Sequence, residues 1–128
     1  GAVDPQDLSC EKTALREAWE EIGLPLDGVE LLGRMQQMRT ITGYLITPVV
    51  GIVPWPFEIN LSENEVERVF TIPLEWLANP DNYEEKWMVL RNARQERVVI
   101  FRPYEGEVLW GITARLTLNL LRLIEATE

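Results

Sequence analysis

Near the start of the chain, Leu15, Ala18, Trp19 and Ile22 recur at the i, i+3, i+4, i+7 spacing of one helical stripe. A helix from about Thr13 to Ile22 would bury that stripe. At about 100° per residue, Glu17, Glu20 and Glu21 then gather on the opposite side, with Arg16 one turn before Glu20. Like charges at this spacing cost a helix about 0.2–0.5 kcal/mol per pair, so the cluster is locally unfavourable unless a cation offsets it. A solvated acidic face is the ordinary reading of such a run taken alone. A hard divalent ion is the functional one, because Mg²⁺ prefers carboxylate oxygen and binds through a few carboxylates together with substrate phosphates.

The totals narrow the chemistry. The chain has no histidine, which excludes a histidine general base, a histidine-containing triad and histidine zinc ligands. Acid and base work must fall to carboxylates, Lys, Tyr or metal-bound water. The single cysteine, Cys10, cannot form an internal disulfide, and this fits a reducing, cytoplasmic setting. A net charge of −9 disfavours adhesion to nucleic acid or anionic lipid, so an anionic substrate needs a local bridge such as a metal ion. At 128 residues, 26% of them charged, one soluble domain spanning 1–128 is expected, with no linker, repeat or membrane span. The longest apolar run, YLITPVVGIVPWPF, is broken by Pro48 and Pro54 and is too short to cross a bilayer.

Gly1 is followed six positions later by Asp7, and then by REAWEEIGL from Arg16 to Leu24. This resembles the Nudix box: a glycine, an acidic residue six further on, then REUxEExGU with U apolar. REAWEEIGL matches that second half at every fixed position. The acidic position departs from the pattern, being Asp7 instead of Glu, with eight residues before Arg16 where the general box has seven. Together with AVDPQD and TALREA, these departures resemble the coenzyme A pyrophosphatase branch of the family. WGITAR (Trp110 to Arg115), GYLITPVVGIVP and SENEVERVF are further segments similar to that branch, so the resemblance covers nearly the whole chain.

The resemblance implies an α/β (α+β) fold, a Nudix-type mixed β-sheet sandwiched between helices. Several strands precede the box in such domains, so an upstream segment, which carries the branch's substrate signature, is expected before Gly1. It implies Mg²⁺ or Mn²⁺ as cofactor, with Glu17, Glu20 and Glu21 as ligands, Gly1 near the metal through its carbonyl, and Arg16 orienting a glutamate. Glu65 resembles the loop carboxylate that faces the metal site, although Glu63 or Glu67 could be the one intended and a surface glutamate is the plainer reading. The general base stays open between Glu17 and Glu65. Lys12, Arg34 and Arg39 are candidate phosphate contacts, each also readable as an ordinary surface charge. The implied reaction is hydrolysis of the diphosphate of coenzyme A or its thioesters to 3′,5′-ADP and a 4′-phosphopantetheine. Alternatives are another nucleoside diphosphate derivative, such as ADP-ribose, a dinucleotide or a nucleoside triphosphate, or a non-catalytic nucleotide-binding module. The expected partner is therefore a small nucleotide, with neither nucleic acid nor membrane, and a homodimer is left open.

Along the chain, Gly23 is placed to end the first helix and PLDG to turn. Val29 to Met38 and the ITGYLITPVVGIVP run read as strands of a hairpin, with Val49 to Val53 covered on both faces and Pro48 at a strand end, bulge or edge. Pro73 opens a short helix that Asn79 and Pro80 end. Tyr83 to Leu90 and Glu96 to Tyr104 are two more strands, Glu105 and Gly106 turn the chain, and Ile112, Leu116, Leu120, Leu123 and Ile124 mark the buried stripe of a closing helix.

Overall fold

Ser9 starts the first helix. Its backbone is extended and its hydroxyl accepts the Lys12 N–H at 3.2 Å, satisfying one of the donors that a helix start leaves open. The computed structural model, which describes residues 2–3, 6–40, 42–62, 64, 66, 68–89 and 93–127, therefore places α1 at Cys10–Ile22, starting three residues before the expected Thr13. Gly23 ends it in the left-handed conformation, φ 75° and ψ 25°. Glycine serves there twice, since a side chain would be strained at that φ and its Cβ would sit 3.1 Å from Asn60. The last carbonyls of α1 are also capped from outside: the Asn60 N–H donates to Ile22 at 3.0 Å and the Ser62 N–H to Glu21 at 2.8 Å.

The chain divides into two units, Gly1–Phe70 and Thr71–Glu128. In the first, a 3-10 turn at Leu26–Gly28 leads into β1 (Glu30–Arg34). The expected hairpin forms as two short antiparallel ladders: β1 with β4 (Val49–Ile52), and β2 (Met38–Arg39) with β3 (Leu45–Ile46). Two features interrupt it. The register slips between Leu31 and Gly33, where Gly33 has φ 146°, and Pro48 has no N–H to give a ladder. Across the gap, the Met35 N–H still reaches the Pro48 carbonyl at 2.9 Å and the Gln37 amide reaches the Thr47 hydroxyl at 2.8 Å.

Two sequence expectations change here. Trp19 is 58% exposed, not core, while Leu15, Ala18 and Ile22 are half-buried. A two-stranded ladder is too narrow to cover the whole stripe. Gly51, Ile52 and Val53 are exposed as well, so Val49 to Val53 is not covered on both faces. Polar ties fasten α1 to this ladder instead. Arg34 at the end of β1 donates from Nε and Nη2 to both carboxylate oxygens of Glu11, at 2.6 and 2.7 Å.

The second unit holds α2 (Leu74–Ala78), a 3-10 turn at Pro80–Asn82, β5 (Tyr83–Val89), β6 (Gln95–Phe101) and α3 (Gly111–Thr127). β5 and β6 pair antiparallel without interruption, from Tyr83 opposite Phe101 to Val89 opposite Gln95. Glu105 and Gly106 both have positive φ, the signature of a two-residue hairpin turn, and Tyr104 and Glu107 exchange hydrogen bonds across it. Leu77, Val99, Phe101, Ala114, Leu118 and Leu121 form the core, with Trp76 stacked on Phe101 and Tyr83 tilted against it. The buried stripe of α3 is thus Ala114, Leu118 and Leu121. The expected one is wrong, because Ile112, Leu123 and Ile124 are exposed. The α+β class stands, with the strands of the described residues in three antiparallel pairs.

Leu118 is 2% exposed, so Leu118→Ala should cost about 2–5 kcal/mol in urea unfolding, whereas Leu123→Ala should stay within about 0.5 kcal/mol. The Arg34 hydrogen bond, followed by Glu11's own N–H, holds the Glu11 carboxyl down at about 2 from its ordinary 4.5. A depressed carboxylate stabilises above its unfolded value and loses that contribution as the pH falls toward the folded one. The gap in unfolding midpoint between the protein and Glu11→Gln should therefore be constant above pH 4.5 and shrink from there toward pH 2. It should also shrink with added salt, since the pair is open to solvent.

Candidate functional site on the first helix

One guanidinium organises the acidic face of α1. Arg16 donates from Nε to Asp7 Oδ1 at 3.1 Å and from Nη2 to Asp7 Oδ2 at 3.0 Å. Its Nη1 lies 3.2 Å from Glu20 Oε2 and 3.3 Å from Glu17 Oε1, and Nη2 also reaches the Ala2 carbonyl at 3.0 Å. The fork of donors that only arginine presents makes this sharing workable. The Asp7 hydrogen bonds, with the charges of Asp7, Glu20 and Glu17, push the Arg16 pKa above its ordinary value, so it stays charged. One positive charge still meets three carboxylates, which keeps the face strongly anionic.

Asp7 is the residue whose role the sequence did not reveal. Its side chain is only 8% exposed, and Oδ2 also accepts the Thr13 hydroxyl at 2.9 Å. The extra residue between Asp7 and Arg16 and the shorter acid still deliver a two-pronged pair. The carboxylate is an anchor for Arg16 and for the first turn of α1. Thr13, the buried residue of α1, turns its hydroxyl to Asp7, a contact that nothing in the sequence signals.

The structure brings Glu17 and Glu20 together on Arg16, with the Glu17 side chain well covered and that of Glu20 half exposed. Glu21 follows on the same turn, and its carbonyl holds the Ser62 N–H. Gly1 and Glu65, with Glu63 and Glu67, lie outside the described residues. Among the described residues, no three acidic or cysteine side chains converge into a cage for a metal ion. The donor set itself, carboxylates at i, i+3 and i+4, suits a hard ion such as Mg²⁺ or Mn²⁺. Of the candidate phosphate contacts, Arg34 is engaged by Glu11, Arg39 donates to the Gly43 carbonyl at 3.2 Å, and Lys12 is exposed.

The model of the NUDIX domain matches residues 1–107, a span that includes all of α1 and its anchor. The chain belongs to the Nudix family. It is 38% identical over 120 residues to an Escherichia coli protein named uncharacterized Nudix hydrolase NudL, covering 94% of this chain and 62% of that protein. Proteins of the same name from Yersinia enterocolitica and Photorhabdus laumondii are 34% and 32% identical, over 97% and 98% of this chain and 63% and 66% of their own lengths. The chain thus spans just under two thirds of these relatives. Nudix hydrolases generally use divalent metal ions, in keeping with the oxygen donors on α1. Among the described residues, no helix is long and apolar enough to cross a membrane.

Asp7→Ala should leave Arg16 with only its glutamate and carbonyl contacts and Thr13 without its carboxylate. The expected cost is about 1–3 kcal/mol in urea unfolding, read against Lys12→Ala at an exposed site of the same turn. Equal midpoints for the two variants would remove Asp7 from its anchoring role.

Proposed function

We propose that the chain is a single domain, residues 1–128, of a metal-dependent Nudix pyrophosphatase that cleaves the diphosphate of coenzyme A or its thioesters. The products are 3′,5′-ADP and a 4′-phosphopantetheine. The observation that carries the pyrophosphatase reading is Arg16, held by Asp7 and holding Glu17 and Glu20 on one turn of a helix capped at both ends. The coenzyme A reading rests on the similarity of AVDPQD, TALREA and WGITAR to that branch.

In this reading Glu17, Glu20 and Glu21, with the Gly1 carbonyl, hold Mg²⁺ or Mn²⁺. Such an ion, when bound there, would supply positive charge against phosphate oxygens and would lower the pKa of a water. The chain's own residues do the positioning. Arg16 fixes the Glu17 and Glu20 carboxylates before substrate arrives, which avoids reorganisation during the reaction. Asp7 keeps Arg16 from swinging with them. Glu17 or Glu65 takes the proton of the attacking water. Without histidine in the chain, a carboxylate base near a metal is the chemistry these residue types support.

Incubating the protein with coenzyme A and Mg²⁺ or Mn²⁺ should release 3′,5′-ADP, and Glu20→Gln should lower the rate by more than about a hundredfold, beyond the loss typical of a residue outside the ligand set. Absence of 3′,5′-ADP above the Glu20→Gln background would sink the coenzyme A reading. Turnover of ADP-ribose, a dinucleotide or a nucleoside triphosphate in the same assay would reassign the substrate.

A further inference from the structure

WGITAR ends in Arg115, and the role proposed for α1 leaves that arginine unexplained. In the second unit, Arg115 on α3 lies 3.2 Å from Glu85 Oε2 through Nη2. Arg122, two turns later on the same face of α3, lies 3.0 Å from Glu85 Oε1, and Arg97 on β6 lies 3.3 Å from Oε2 through Nε. Three guanidiniums therefore surround one carboxylate. Burial raises the Glu85 pKa, but hydrogen bonds from Arg115 and Arg122 and the charges of Arg115 and Arg97 outweigh it, so the residue stays ionised. The local balance is two positive charges, in a chain whose net charge is −9.

The hairpin geometry explains the gathering. Val99 lies opposite Glu85 and Arg97 opposite Trp87, so these four side chains share the face that carries Phe101 into the core under α3. Glu84 and Glu96, one step along their strands, fall on the other face and pair with Lys86 and Arg94. Where the core ends, Trp87 is left 67% exposed, with the Arg97 guanidinium 6.0 Å from its ring centre. Arg97 and Arg122 are themselves more than half exposed, so their remaining N–H donors are open to a ligand.

We propose that Arg97, Arg115 and Arg122, gathered around Glu85 beside the exposed Trp87, form a binding site for the phosphate of a nucleoside monophosphate group. A phosphomonoester dianion matches the two excess positive charges. Guanidinium forks suit phosphate oxygens, and an exposed indole offers a flat apolar face to a base. Glu85 prearranges the three arginines in the absence of ligand and competes with the phosphate for them. That competition gives the site a signature a purely structural ion cluster lacks.

Calorimetric titration of the full chain in EDTA, with adenosine monophosphate and separately with inorganic phosphate, tests the proposal. Adenosine monophosphate should bind, and Arg97→Gln and Arg122→Gln, both at exposed positions, should each weaken it roughly tenfold. Glu85→Gln should tighten binding, and Trp87→Ala should weaken the nucleotide while leaving inorganic phosphate unchanged. If Glu85→Gln does not fold, the two arginine variants and Trp87→Ala still decide the matter. No heat of binding at millimolar nucleotide, or affinities unchanged in both arginine variants, would overturn the site. Equal affinity for nucleotide and inorganic phosphate in the unmodified protein would overturn the role of the base.

Discussion

The Arg16 guanidinium is the constraint on which the acidic face of α1 depends. Asp7, Glu17 and Glu20 are like charges that would repel one another, and the Arg16 guanidinium lies within 3.3 Å of all three. A lysine could not replace it. An ammonium is a point charge at the end of a flexible stem, whereas the planar fork gives two parallel bonds to Asp7 and directs Nη1 toward the glutamates. The same group also holds the Ala2 carbonyl, so the chain entering the helix and the carboxylates on it share one fixed point.

That fixed point matters more because α1 is fastened by its polar groups more than by a buried stripe. Thr13 is its one buried residue among those described. Ser9 and Gly23 close the two ends, Asn60 and Ser62 take the last carbonyls, and Glu11 binds Arg34 of the hairpin. Hydrogen bonds are directional where apolar packing is not. A helix held in this way keeps its rotation about its own axis, which decides where Glu17 and Glu20 point.

What could be read from the sequence follows the range of the interaction. Caps and turns are set by neighbours in the chain, so Gly23, Pro73 and the Glu105–Gly106 turn were legible. The face of α3 was not. Leu116, Leu120 and Leu123 form one apolar stripe and Ala114, Leu118 and Leu121 another, about 200° away, and periodicity cannot choose between them. Val99 and Phe101 of β6 and Leu77 of α2 make the choice, and they are distant in the chain. The hairpin was legible in its two apolar runs but not at the Gly33 slip, because an isolated glycine in a strand looks the same whether or not a residue is bulged. At the site, the glutamates were visible through their spacing. Asp7 was not legible as an anchor, since its partner is nine positions away and reached through a loop.

The arrangement of arginines also qualifies the inference from net charge. A total of −9 speaks to encounters at long range, but at physiological salt a charge is felt over only about 8 Å. Within that distance α1 shows three carboxylates sharing one guanidinium, and the β5–β6 hairpin shows three guanidiniums sharing one carboxylate. The two clusters are electrostatic opposites built from the same pair of residue types. The first attracts cations and repels a phosphate until a cation is present. The second carries an excess of two positive charges, the sign that suits an anion without a bridging metal.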